Sequence, residues 1–86
     1  MKLIFWGHAR ERMQERGITI KDVRLTLLHP DQLDVDKSDH HRLLAKRLYK
    51  NSRIGARQLL MVVYEVHGHA IEIVTVVSTS KIDKYI

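Results

Sequence analysis

The apolar positions fall into runs whose spacing changes along the chain. Lys2-Leu3-Ile4-Phe5-Trp6 is a short run of strand formers bounded by Gly7 and predicts a first strand. From His8 to Arg16 the pattern becomes helical: Ala9 and Met13 form a narrow apolar seam among charges. Gly17 is suited to the position just past the helix end, with Ile18 folding back on Met13. Thr19-Ile20-Lys21-Asp22 has the form of a capping box, opening a second helix with Ile20, Val23 and Leu27 on its apolar face. His29-Pro30 ends that helix, because a residue before proline is pushed out of helical geometry.

The second half reads as strands. Residues 31–39 are acidic and weakly alternating through Leu33 and Val35, which predicts an edge strand running into a loop at Lys37-Ser38-Asp39-His40-His41. Leu43 to Tyr49 alternates imperfectly and is compatible with strand or short helix; its β neighbours favour strand. Asn51 to Gly55 is a basic turn. Leu59 to Val66 and His69 to Val77 flank His67-Gly68, the mark of a tight hairpin, with Val66 expected opposite His69, Tyr64 opposite Ile71, Val62 opposite Ile73 and Leu60 opposite Thr75. The opposite face of that hairpin, with Glu65, Glu72, Val63, Met61, Val74 and Val76, is expected to be polar near the turn and apolar further in. Lys81 to Ile86 is a basic tail. The order β-α-α-β-β-β-β predicts one α+β domain over residues 1–86, with a mainly antiparallel sheet and both helices on one face.

At 86 residues a single core buries only about 60% of the unfolded surface. Aromatics are few (Phe5, Trp6, Tyr49, Tyr64, Tyr85), so Leu, Ile and Val must supply most of that core. Without cysteine the chain has neither a disulfide framework nor a thiolate zinc site. The apolar run at residues 3–6 is too short for a signal-peptide core or a membrane span, so the expected location is the cytoplasm, with no membrane partner. A net charge of +5 favours polyanionic partners: RNA, DNA or an acidic protein.

Chemistry concentrates on the first helix. His8, Arg12 and Arg16 recur at i, i+4 and i+8 beside the Ala9 and Met13 seam. Metal-free RNA cleavage needs a base for the ribose 2′-OH proton, cations for the charge growing on phosphorus and an acid for the departing 5′-oxygen. Histidine suits proton transfer near neutrality and arginine suits phosphate through its planar fork. Tyr49, Lys46, Thr75 or Lys81 are the candidates for the remaining group. The competing reading is an ordinary solvated helix in which Glu11 and Glu15 pair with the arginines. The stretch Lys46 to Arg53 with Arg57 mixes cations with Tyr49, as a single-stranded RNA surface or a lysine-protected sheet edge would. Ser78, Ser80, Lys81, Lys84 and Tyr85 could complete a phosphate site. His67 and His69 lack a nearby third ligand, so no metal or cofactor is expected; His40 and His41 share the same discount, though a loop histidine could reach a site.

The segment His8 to Ile18, the Val23-x-x-x-Leu27 helix ending near Pro30, Val62-Val63-Tyr64, Val74 to Val77 and Lys81 resemble the small bacterial domain-of-unknown-function family 4258. The likeness covers about two thirds of the chain and leaves residues 36–57 unmatched. That family resembles the RelE-like toxins and the group containing barnase, EndoU and colicin nucleases. The resemblance implies a RelE-like domain, ribonuclease activity and neutralisation by an antitoxin protein. It makes His8, Arg12 and Arg16 the motif positions, with Thr75 and Lys81 as weaker matches. Trp6 stands where a small hydroxyl residue is expected before the helix, which leaves that helix without an obvious cap.

The combined expectation is a metal-independent endoribonuclease cleaving mRNA, free or on the ribosome, as the toxin of a toxin–antitoxin pair. His8, Arg12, Arg16, Tyr49 and Lys81 are its catalytic candidates; Arg10, Lys46, Arg47, Arg53, Arg57, Thr75 and Lys84 are its nucleic-acid contacts. The alternative is a non-catalytic nucleic-acid- or protein-binding module using the same cations for contact alone.

Overall fold

A computed structural model of the chain describes residues 2–39 and 41–86; His40, one of the two loop histidines, lies outside the described residues, as does Met1. Eight elements follow in order: β1 (Lys2–Phe5), α1 (Gly7–Arg16), α2 (Ile20–Leu28), β2 (Gln32–Val35), β3 (Arg42–Asn51), β4 (Ala56–His67), β5 (Ala70–Thr79) and α3 (Ile82–Tyr85). The strands form one sheet in the order β1-β5-β4-β3-β2.

The signals at the helix ends work as their chemistry dictates. Gly17 adopts a φ of 67° and bonds the Met13 carbonyl, Ile18 N bonds the same carbonyl at 2.9 Å, and Met13 and Ile18 are both buried in one cluster. Only glycine fits there at low cost, because an added Cβ would stand 2.8 Å from Cβ of Arg53. Both bonds of the Thr19 and Asp22 capping box are present at 3.0 Å. Trp6 occupies the cap position of α1 without any side-chain cap bond, as its chemistry requires.

Three expectations need correction. First, the sheet is mainly antiparallel as expected but mixed, because β1 runs parallel to β5 while the other neighbours are antiparallel. Trp6 N bonds the Ile73 carbonyl at 3.0 Å, so β1 delivers the chain to the middle of β5, and a parallel direction aims α1 along the remaining half of that strand. Ala9 and Met13 can then lie in the core with Ile73 and Val76. An antiparallel β1 would point the chain off the hairpin end.

Second, the β4–β5 register differs from the expected one. His67 pairs with Ala70, so the two-residue loop is Gly68-His69, with Gly68 at a φ of 62°. The first loop position needs positive φ, which glycine supplies and histidine resists. Further along, Tyr64 opposes Ile73 while Val63 opposes Thr75, a bulge that leaves Val74 extra. The bulge brings both Ile73 and Val76 to the helix-side core, and Val76 thereby leaves the face expected of it.

Third, Ile20 is about half exposed, and the buried stripe of α2 is Val23, Thr26 and, in part, Leu27. Thr26 is tolerated in that stripe because its hydroxyl donates to the Asp22 carbonyl at 2.8 Å and accepts from Arg47 at 3.2 Å.

The helix-side core also takes in Ala45, Tyr49, Leu60, Val62 and Tyr64. On the other face Leu59, Met61 and Val74 are buried, and Lys46 Nζ bonds the Tyr85 carbonyl at 2.8 Å. The C-terminal tail thus returns over this face, and residues 82–85 of the expected basic tail form the short helix α3. No helix among the described residues is long and apolar enough to cross a membrane.

Candidate nucleic-acid interface

The helix α1 turns Ala9 and Met13 into the core, which leaves His8 and Arg16 exposed and Arg12 half-buried at the edge of the seam. Among the described residues the side chains of these three form no salt bridge and no hydrogen bond, although Glu11 and Glu15 stand on the same helix. Arg10 lies on the far side of the seam with its guanidinium 5.7 Å from the Phe5 ring. The i, i+4 pairing expected of an ordinary solvated helix is therefore not formed. Eight residues separate His8 from Arg16, about 12 Å along the axis at 1.5 Å per residue.

Arg16 ends the helix beside a polar network built on the helix side of the sheet. Tyr49 and Asn51 share a face of β3 at i and i+2, and Tyr49 pairs across to Gln58. The Tyr49 hydroxyl lies 2.6 Å from Oγ of Ser78, Ser78 donates to Oε1 of Gln58 at 2.6 Å, and Asn51 Nδ2 donates to the Tyr49 hydroxyl at 3.0 Å. The same Asn51 amide bonds the Arg16 carbonyl at 3.0 Å, which ties the helix end to the sheet. Tyr49 and Asn51 are 5% and 2% exposed, so the Tyr49 hydroxyl is committed to structure before any substrate arrives. A cavity of about 170 Å³ opens next to this network, lined by Glu15, Arg16, Asn51, Arg53, Ile54, Gln58 and Ser78.

The other expected cations divide by what they touch. Arg53 donates to the Glu15 and Gln14 carbonyls at 2.6 and 3.1 Å, capping α1 from the β3–β4 turn. Arg47 reaches Thr26 and the Asp22 carbonyl and pins α2 to the sheet. Lys46 lies on the face away from the helices, 8% exposed, held by Asp34 at 3.2 Å and by the Tyr85 carbonyl. Thr75, opposite Val63, sits on that same far face, so the sheet separates Lys46 and Thr75 from His8 and Arg12. Arg57 and Lys84 are exposed, the latter against the Tyr85 ring. Lys81 is exposed just past the end of β5, three residues beyond Ser78.

A second cluster, which the sequence reading missed, occupies the hairpin end of the far face. Glu65 and Glu72 are cross-strand partners there. Arg42 bonds Glu65 at 2.8 Å, Trp6 Nε1 donates to Glu72 at 3.1 Å, and His67 Nε2 lies 2.9 Å from Glu65 and 3.4 Å from Glu72. The Arg42 guanidinium stands 5.6 Å from the Trp6 ring. The hydrogen bond from Arg42, and then that from His67, hold the Glu65 carboxyl below its ordinary range, while Glu65 raises the His67 imidazole. The one available signal was the paired carboxylates on a common hairpin face; Trp6, at the cap of α1, and Arg42, in β3, are distant from them in sequence. No group of three or more metal-ligating side chains is arranged to hold an ion among the described residues.

No curated protein and no solved structure matches this chain. Residues 5–82, nearly the whole chain and including the segment around residues 36–57, match the family described as Domain of unknown function (DUF4258), and the chain belongs to that family.

Proposed function

We propose that this protein is a metal-independent endoribonuclease, a RelE-like toxin held in check by an antitoxin protein in the cytoplasm. One observation supports this reading above others: among the described residues His8, Arg12 and Arg16 have no acidic partner, although carboxylates are available on the same helix. Cations left unpaired on a folded surface are free to meet phosphate. In this reading Arg12 and Arg16 hold the RNA backbone and His8 takes the 2′-OH proton. The resulting alkoxide attacks phosphorus, giving a 2′,3′-cyclic phosphate, while a second group returns a proton to the 5′-oxygen. Lys81 is the exposed candidate for that second group; Tyr49 acts by supporting Ser78 and Gln58, since its own hydroxyl is engaged.

One observation favours the alternative, a binding module without cleavage. His8 stands about two helical turns from Arg16, with no second proton-transferring side chain bonded to it among the described residues. The test incubates purified protein, without added metal, with single-stranded RNA and with translating ribosomes, beside His8→Ala and Arg12→Ala. Cleavage lost in both variants supports the nuclease. Intact RNA throughout, with salt-sensitive binding that survives His8→Ala, selects the binding module.

A further inference from the structure

The hydrogen bonds around the cavity at the end of α1 fix the direction in which each polar group points its protons. Asn51 Oδ1 accepts from the Arg53 backbone N–H at 3.0 Å, so its Nδ2 is the end facing the Arg16 carbonyl and the Tyr49 hydroxyl. Tyr49 therefore accepts from Asn51 and must donate its own proton onward to Ser78, the other hydroxyl within reach at 2.6 Å. Ser78, having accepted, donates to Gln58 at 2.6 Å. Asn51 Nδ2 also approaches the same Gln58 atom at 3.3 Å. Both hydrogens of Asn51 Nδ2 already serve the Arg16 carbonyl and the Tyr49 hydroxyl, so it is the Ser78 proton at 2.6 Å that requires the carbonyl oxygen there and orients Gln58 with Oε1 inward. Its Nε2, a double donor, has no partner among the described residues, and Gln58 lines the cavity.

The electrostatics of the cavity follow the same sense. The C-terminal carbonyls of a helix carry partial negative charge that would repel an anion. Here Arg53 covers those of Gln14 and Glu15 and Asn51 covers that of Arg16. Arg16 and Arg53 both line the cavity, the Arg16 side chain has no carboxylate partner among the described residues, and Glu15 is the acidic residue of the lining. At about 30 Å³ per water volume, 170 Å³ is room for roughly five or six waters, enough for a small tetrahedral oxyanion.

From this we propose that the cavity between α1 and the ends of β3, β4 and β5 is a phosphate subsite, in which Arg16 supplies charge and the Gln58 amide, oriented by Asn51, Tyr49 and Ser78, supplies recognition. It rests on the RNA reading only for the identity of the ligand, a phosphodiester. The anion step stands on the cavity itself. Arg16 and Gln58 would then seat a phosphate neighbouring the one that reacts, and set where the strand lies against His8.

The test uses the full chain, labelled with ¹⁵N, titrated with inorganic phosphate against sodium chloride at equal ionic strength. Saturable shifts of the Gln58 side-chain amide and of the Arg16 Nε resonance are expected. Gln58→Glu keeps an acceptor for Ser78 and Asn51 but replaces the free donor by a negative oxygen, and is expected to weaken phosphate binding about tenfold or more. Its thermal midpoint reports that it folds, and Lys21→Gln, on the exposed side of α2, is expected to bind as the parent does. Resonances that move no more in phosphate than in chloride overturn the proposal, as does unchanged affinity in folded Gln58→Glu. Neither result depends on RNA cleavage: a phosphate-binding chain that leaves RNA intact keeps the subsite and removes the nuclease, whereas a nuclease without phosphate shifts does the reverse.

Discussion

On α1, His8, Arg12 and Arg16 stand without acidic partners among the described residues; across the sheet, Arg42, Glu65, His67 and Glu72 satisfy one another, with Trp6 completing the set. Both regions are rich in charge and both lie beside apolar surface. The difference is where the partners come from. In the second cluster three strands meet at the hairpin end, and cross-strand register puts opposite charges face to face. In α1 the carboxylates are local, and the helix presents its cations outward without closing a pair. Satisfied charges do structural work and have little left to offer a ligand; unpaired ones keep their field. The presence of charge therefore says less about function than whether the fold has already neutralised it.

That contrast breaks most sharply on α1. His8→Ala is expected to lower RNA cleavage by about 10²-fold to 10⁴-fold, the range for losing a proton-transfer group. Its stability is expected to stay within about 0.5 kcal/mol of the parent in urea unfolding, as for a surface residue without partners. A large stability loss with unchanged cleavage would place His8 among the structural charges. Asn51→Ala attacks the network that joins the two halves of the candidate subsite. It strips a bond from the Arg16 carbonyl, the Tyr49 hydroxyl and the Arg53 N–H together, and urea unfolding is expected to record a loss of about 1–3 kcal/mol.

Gly17→Ala is expected to cost somewhat less, about 1–2 kcal/mol by the same measurement, from a left-handed backbone and the approach to Arg53. Wild-type stability there would mean that the turn of Arg53 can move away from the helix end. The smallest effect belongs to the paired cluster and is a matter of pH. The folded-state pKa of His67 is raised above its unfolded value of about 6.5, so its contribution is fully present below that value and is lost as pH climbs through the folded pKa. Glu65 is lowered, so its contribution is present above the unfolded pKa of about 4.3 and is lost as pH falls through the folded one. The urea midpoint is expected to decline between pH 6 and 8, and His67→Gln to flatten that decline. An unchanged slope in His67→Gln would remove the imidazole from the pairing.

The chain by itself determined the local structure. Helix ends at Gly17 and Thr19, the stop before Pro30, the edge strand through Leu33 and Val35 and the long hairpin all follow from dihedral preferences and side-chain caps that act over a few residues. It also marked His8, Arg12 and Arg16 by spacing alone, and the family match covers that segment. Tertiary structure decided what spacing cannot encode. A bulge at Val74 moved Val76 to the helix side, and the parallel seat of β1 set the direction of α1. The sheet placed Lys46 and Thr75 on the face away from His8, and the β3–β4 register brought Asn51 and Gln58 beneath Arg16. These outcomes depend on contacts between residues far apart in the chain, where a one-residue change of register reverses the face of every side chain beyond it.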